Sequence, residues 1–261
     1  MSLRPAASAA LAANPAASAL VLDFDGVLAP IIEEPDASAM PERTAQSVAR
    51  LAASLGVVAV ISGRPAEFLA ARVRMPGVQL LGSYGLEQVK DGAGELDPAA
   101  QTWLPAVHHA RLTLADLIGG SPGVRIEAKP ASVAVHWRQA PDRAAAAAAV
   151  RRAVAQVAAQ TGLRAEPGKL VEELRPPIDV DKGSAVAALI AAARPAAVAY
   201  AGDDLGDIAA LRAVHDAGGY ALVVDHGVET DPQLLELADQ VFAGTDGFAD
   251  WLADLAERTR A

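Results

Sequence analysis

The sequence predicts a doubly wound α/β protein, with a mostly parallel core sheet and a smaller α+β module inserted into it. Short apolar runs without alternation recur at 19–22, 57–61, 78–81, 196–201 and 220–224, with a weaker one at 240–243. Such runs are too short for helices and read as strands buried on both faces. Stretches of helical spacing separate them. Between the third run and residue 181 lie about 80 residues too many for a crossover connection, so a second module must sit there. The expected division is an extension over 1–18, a core over 19–100 and 177–261, and the insert over 101–176.

Composition limits what such a protein can do. Hydrophobic residues make up 52% of the chain but aromatics only 4%, so the core must be built mainly from Ala, Val and Leu. There is no cysteine, which excludes disulfides, thiolate metal sites and a cysteine nucleophile. Net charge is −10 and no basic run offsets it, so nucleic acid and anionic membrane surfaces are poor partners. An anionic substrate then needs a local positive site, and each Lys or Arg near a strand end becomes informative. No stretch is long and apolar enough to span a membrane. Ala17-Ser18-Ala19 imitates a signal cleavage site, but Asn14 and Pro15 break the segment before it. A loosely ordered extension on a cytoplasmic monomer is the expectation.

The first apolar run ends in Asp23-Phe24-Asp25-Gly26. Open α/β sheets present their chemistry at the carboxyl ends of strands, and there one carboxylate can attack while its neighbour moves protons. Two close carboxylates raise each other's pKa unless a cation lies between them, which calls for a metal. Residues 28–40 carry prolines together with Glu33, Glu34 and Asp36, and are expected to form a loop beside the site. A helix follows over 41–55, with Gly56 as its stop.

The second run leads into Ser62-Gly63-Arg64-Pro65, a strand-to-helix turn whose N–H groups and Ser hydroxyl could hold phosphate oxygens. After the third run, Asp91-Gly92 centres a hairpin over 89–96. Downstream, Asp181-Lys182-Gly183 opens an alanine-rich helix ending near Arg194. A Lys at a helix N-terminus opposes the macrodipole, so Lys182 is better explained by a nearby phosphoryl group. The fourth run ends in Gly202-Asp203-Asp204-Leu205-Gly206-Asp207. Three acids after a buried strand are costly without a cation, and a hard ion such as Mg²⁺ takes oxygen ligands of this kind.

In the insert, helices are expected over 101–118 and 141–160, and strands over 124–129, 132–138 and twice within 163–176. The order is αββαββ, with helices on one sheet face. Alternation makes Glu127, Lys129, His136, Arg138, Glu173 and Arg175 candidates for the other, with Lys169, Val171, Glu173 and Arg175 sharing a face of the last two strands. Glu paired with Lys or Arg supplies the acceptors and donors that a sugar's hydroxyls need.

Asp23-Phe24-Asp25-Gly26, Ser62, Lys182 and the acids from Asp203 fall in the order of the four motifs of the haloacid dehalogenase (HAD) superfamily. The insert resembles that superfamily's C2-type cap. Within it, the chain is similar to the trehalose-6-phosphate phosphatase family, from about Leu20 to the end. The similarity rests on Leu22-Asp23-Phe24-Asp25-Gly26 with Leu28-Ala29-Pro30-Ile31, on Ile61-Ser62-Gly63-Arg64, and on Gly82-Ser83-Tyr84-Gly85-Leu86-Glu87. In the insert it rests on Glu127-Ala128-Lys129, Val133-Ala134-Val135-His136-Trp137-Arg138 and Gly168-Lys169 through Glu173-Leu174-Arg175-Pro176.

The resemblance implies a phosphatase acting on trehalose 6-phosphate. Asp23 would be the nucleophile, Asp25 the acid and base, and Ser62 and Lys182 the phosphate contacts. Mg²⁺ would be held by Asp23, the Asp25 carbonyl and Asp203, with Asp204 or Asp207 behind it. Glu127, Lys129 and Glu173 would contact sugar hydroxyls, and Arg64 the phosphate or cap. The chain departs from the family at Gly206-Asp207-Ile208, where Thr-Asp-Glu is usual, and at Tyr84, where His or Asn is frequent. Another phosphorylated sugar, such as sucrose phosphate or a glycosyl-phosphoglycerate, remains open as substrate, as does a silent sugar-phosphate sensor.

Overall fold

A computed structural model describes residues 6–32, 34, 37–168 and 170–260. The expectations that fall on Glu33, Asp36 and Lys169 lie outside the described residues. The chain divides into two compact units, Met1–Glu95 with Val180–Ala261, and Leu96–Asp179.

The first unit holds α1 (Ala7–Ala13), β1 (Ser18–Leu22), α2 (Glu42–Ser54), β2 (Val57–Ile61), α3 (Ala66–Arg72), β3 (Val78–Gly82), β4 (Glu87–Lys90) and β5 (Ala93–Leu96). The second contributes α4 (Pro98–Gln101), α5 (Leu104–Ile118), β6 (Arg125–Ala128), β7 (Val133–His136), α6 (Arg143–Thr161), β8 (Arg164–Gly168) and β9 (Val171–Arg175). The chain returns to the first unit with α7 (Lys182–Ala193), β10 (Ala197–Gly202), α8 (Ile208–Asp216), β11 (Tyr220–Asp225), α9 (Pro232–Leu237), β12 (Gln240–Ala243) and α10 (Gly244–Arg258).

The core sheet runs β12-β11-β10-β1-β2-β3-β4-β5. Strands β12 to β3 are parallel, and the antiparallel hairpin β4–β5 extends the far edge. Asp91 and Gly92 both take positive φ at the hairpin tip, the backbone a two-residue turn between twisted strands demands. All five residues of β1 are buried, as a central parallel strand requires. Leu20 and Leu22 point to one layer with Val58, Val60, Leu222 and residues of α2 and α10. Ala19 and Val21 point to the other, with Tyr200, Val186 of α7 and Leu211 of α8. Strand order reverses direction at β1 and β10, the switch point where open α/β sheets form a crevice.

The sequence reading of 1–18 as a loose extension is corrected. Residues 7–13 form α1, whose Ala7 and Leu11 are buried in the first layer. Ser18, placed in the extension by that reading, is the first residue of β1, and its hydroxyl donates to the Leu11 carbonyl at 3.0 Å. Alanine-rich composition hid the helix because its buried face is only two residues wide.

The second unit is a four-stranded antiparallel sheet, β6-β7-β9-β8, with α5 and α6 on one face. Val133, Val135 and Leu174 alternate inward onto Leu114, Val150 and Val157. The two helices and their sheet thus enclose a core of their own. Among the described residues, no helix is long and apolar enough to cross a membrane.

Candidate active site

Asp23 follows β1 directly, and its N–H donates to the Ala201 carbonyl of β10 at 2.9 Å. The next turn closes on itself. Gly26 N–H donates to the Ala29 carbonyl at 2.8 Å, and the N–H groups of Leu28 and Ala29 both donate to the Phe24 carbonyl at 2.9 Å. Gly26 has φ +79°, and a Cβ there would lie 2.0 Å from Asp203 Oδ2. Only glycine allows both that backbone and so close an approach.

Lys182 opens α7 and is 3% exposed. The helix end is stabilised instead by a capping box, in which Ser184 N–H donates to Asp181 at 2.7 Å and Asp181 N–H to the Ser184 hydroxyl at 3.0 Å. Lys182 Nζ donates to Asp207 Oδ1 at 2.7 Å and pairs with Asp23 Oδ2 at 3.0 Å. Asp207 is fully buried and fully satisfied. Tyr200 donates its hydroxyl to Oδ1, and the N–H groups of Asp203 and Asp204 donate to Oδ2 at 3.0 and 3.1 Å.

The contrast with Asp23 and Asp203 is chemical. Oδ1 of each is buried and has no hydrogen-bond partner among the described residues. Carboxylate oxygens of Asp23, Asp203 and Asp207 lie within 4.8 Å of one another. Burial raises the Asp23 carboxyl well above its ordinary value, against the pull of Lys182. Burial and then the Asp23 charge push Asp203 up to about 9. Burial raises Asp207 too, but Lys182, Tyr200 and the backbone donor outweigh it and hold that carboxyl low. An orphaned buried carboxylate is an unfavourable state that a bound cation would relieve, so these residues fit a hard metal ion held by oxygens. Asp207 spends its oxygens on Lys182, Tyr200 and the backbone. Asp204 is exposed and caps the following turn through Gly206 N–H at 2.9 Å.

Asp25 is held otherwise. Arg64 donates to it through Nε at 2.7 Å and through an Nη at 3.1 Å, and Ser38 donates at 2.9 Å. This fork is the strong geometry for Arg with carboxylate. The Arg64 guanidinium also lies over the Phe68 ring, 4.5 Å from its centre. Ser62 is buried after β2, its hydroxyl accepting from Arg64 N–H at 3.2 Å.

The Ser62 turn is braced from β3. Tyr84 N–H donates to the Ser62 carbonyl at 2.9 Å and Ser83 N–H to the Arg64 carbonyl at 2.8 Å. Ser83, Tyr84 and Gly85 all have positive φ, a costly run for two non-glycine residues. It is held where the Ser83 hydroxyl meets the buried Glu87 carboxylate. Glu87 also accepts from Ala66 N–H at 3.4 Å. The first amide of α3 is therefore answered by a carboxylate of the protein itself.

On the sheet face of the second unit opposite α5 and α6, Lys129 Nζ reaches both Glu173 oxygens at 3.2 Å, and Ser132 donates to the same carboxylate. Glu127 meets His136 Nε2 at 2.7 Å, with Arg125 at 3.4 Å. The His136 hydrogen bond, aided by Lys129 and opposed by burial, lowers the Glu127 carboxyl to about 2. Arg175 donates to Glu166 at 2.6 Å. Arg138 is not part of this group. β7 ends at His136, and Arg138 stands exposed in the following turn, its carbonyl accepting from Arg143.

Sequence reasoning missed Tyr200, which reads as an ordinary apolar strand residue, and His226. The latter follows β11, and its Nε2 lies 2.9 Å from the Gly26 carbonyl and 3.6 Å from Asp203 Oδ2. Its position just after a buried strand was the available signal.

A doubly wound sheet with acids at the ends of β1 and β10, interrupted by an α+β unit, is the architecture of haloacid dehalogenase-like hydrolases. One such structure, from Bacteroides thetaiotaomicron, superposes with a TM-score of 0.64 at 15% identity, covering 91% of this chain and 99% of that one. The chain belongs to the trehalose-phosphatase family, whose model, described as Trehalose-phosphatase, matches residues 21–234. The trehalose-phosphate phosphatase of Mycobacterium marinum is 38% identical over 220 residues, 82% of this chain and 55% of that protein. The Mycobacterium leprae protein of the same name is 36% identical over 221 residues, 80% of this chain and 51% of its own. The chain thus spans about half the length of these curated relatives. Among solved structures, a trehalose-6-phosphate phosphatase related protein superposes with a TM-score of 0.77 at 22% identity, covering 92% of this chain and 97% of that one.

Proposed function

We propose that this chain is a Mg²⁺-dependent phosphatase converting trehalose 6-phosphate to trehalose and phosphate. The observation that carries the reading is the pair of orphaned oxygens, Asp23 Oδ1 and Asp203 Oδ1, beside Lys182 at the sheet's switch point. Mg²⁺ bound by Asp23, the Asp25 carbonyl and Asp203 would neutralise charge shared with the phosphate oxygens. Asp207 then serves as the support behind it, holding Lys182 and the N–H groups of Asp203 and Asp204.

In this reading an Asp23 oxygen attacks phosphorus in line, and the bond to the sugar oxygen breaks as Asp25 gives that oxygen a proton. Asp25 next takes a proton from water, which attacks the aspartyl phosphate and releases phosphate with Asp23 regenerated. Lys182 and the Ser62 hydroxyl stabilise the charge on the transferring group. Arg64, which clamps Asp25 here, aligns that acid and would contact the phosphate or cap. Glu127, kept ionised by His136, accepts from sugar hydroxyls, with Lys129 and Glu173 as its counterparts. The matched family and the names of the mycobacterial relatives support the choice of sugar.

The test is phosphate release with Mg²⁺ across a panel of trehalose 6-phosphate, sucrose 6-phosphate, glucose 6-phosphate and a glycosyl-phosphoglycerate. Trehalose 6-phosphate should show the highest kcat/KM. A different winner replaces the substrate, and no release from any of them removes the phosphatase reading.

A further inference from the structure

We infer that His226 is a positioning residue of the metal centre, tying the loop after β11 to the turn that carries Asp25 and Gly26. The inference rests on the acids at β1 and β10 forming the Mg²⁺ site proposed above. A carbonyl oxygen only accepts hydrogen bonds. Nε2 of His226, 2.9 Å from the Gly26 carbonyl, must therefore carry hydrogen and donate it. The nitrogen nearest Asp203 Oδ2, at 3.6 Å, then has no lone pair for a metal. His226 is a spacer and an anchor, not a ligand.

What it anchors is specific. The amides of Gly26, Leu28 and Ala29 are spent within their own turn, and the Gly26 carbonyl is the acceptor facing His226. This bond joins residues 200 positions apart, and Gly26 is the residue against which Asp203 packs. His226 is itself fixed, its N–H donating to the Thr230 hydroxyl at 2.7 Å. One imidazole hydrogen bond thus ties the loop after β11 to the turn after β1, against which Asp203 packs. Residues that orient a ligand set without joining it commonly change metal affinity by about 10–100-fold when removed.

The measurement is Mg²⁺ affinity by isothermal titration calorimetry on the wild-type protein, His226→Ala, His226→Gln and Thr230→Val. Gln places an amide N–H about where Nε2–H stands. His226→Ala should weaken Mg²⁺ binding by about 10-fold, His226→Gln should stay within about 2-fold of wild type, and Thr230→Val should fall between. Thr230→Val carries the test if His226→Ala does not fold. Unchanged affinity in His226→Ala, or equal loss in His226→Ala and His226→Gln, overturns the inference alone. A wild type that binds no Mg²⁺ overturns the metal centre, and this inference with it.

Discussion

Lys182 balances two carboxylates, Asp23 and Asp207, and all three side chains are buried. Replacing it by Met would leave both acids without their cation. Removing one member of a buried charge pair typically costs about 3–5 kcal/mol. Lys182→Met should therefore unfold at clearly lower denaturant, as well as lose turnover; an unchanged midpoint would mean that the pair is not buried as described. Asp203 behaves oppositely. Its carboxyl is raised from 3.8 to about 9 by burial and by Asp23, so the folded state holds the proton more tightly than the unfolded chain. That contribution to stability is complete below about pH 4 and is lost as pH rises towards 9. In EDTA, Asp203→Asn should gain about 1–3 kcal/mol over wild type at pH 8.5, with the gain vanishing near pH 4.5. Thermal unfolding at the two pH values reads this directly, and a gain that is equal at both would contradict the assignment.

At the scale of elements, strand ends were the legible part of the site. Asp23, Ser62 and Asp203 each follow a buried apolar run, and that position is visible in the chain itself. Tyr200 was not legible, because its role depends on Asp207 folding back beneath it. The brace of Ser83, Tyr84 and Glu87 was legible only as residues and not as geometry, since no periodicity signals three successive positive φ angles. In the insert, alternation found the polar face, but it carried Arg138 along with it because β7 stops two residues early. The face makes its own prediction. Glu127→Ala and Lys129→Ala should each lower kcat/KM on trehalose 6-phosphate by 10-fold or more, at about 1.4 kcal/mol per factor of ten. The same variants should scarcely change hydrolysis of p-nitrophenyl phosphate, and equal losses on both substrates would remove these residues from sugar recognition.

For the molecule as a whole, a chain with a net charge of −10 has few buried cations among the described residues, Lys182 and Arg175, and each is paired with a carboxylate. Lys182 lies at the strand ends against Asp23 and Asp207, and Arg175 against Glu166. The apolar layers on the two faces of the core sheet, and the separate core of the second unit, are mostly Ala, Val and Leu, with the aromatics gathered chiefly in one layer at Phe24, Phe242, Phe248 and Trp251. The fold class followed from spacing because parallel strands and their helices impose periods that composition does not blur. Helix α1 escaped because alanine carries little periodic contrast. The central claim is that Asp23 is a nucleophile in a cation-filled carboxylate site acting on a sugar phosphate. It is tested most directly by phosphate release from trehalose 6-phosphate by wild type and Asp23→Asn, with Mg²⁺ and with EDTA. Release by wild type with Mg²⁺, none in EDTA, and none from a folded Asp23→Asn is the expected result. Release that survives either EDTA or the loss of Asp23 would contradict it.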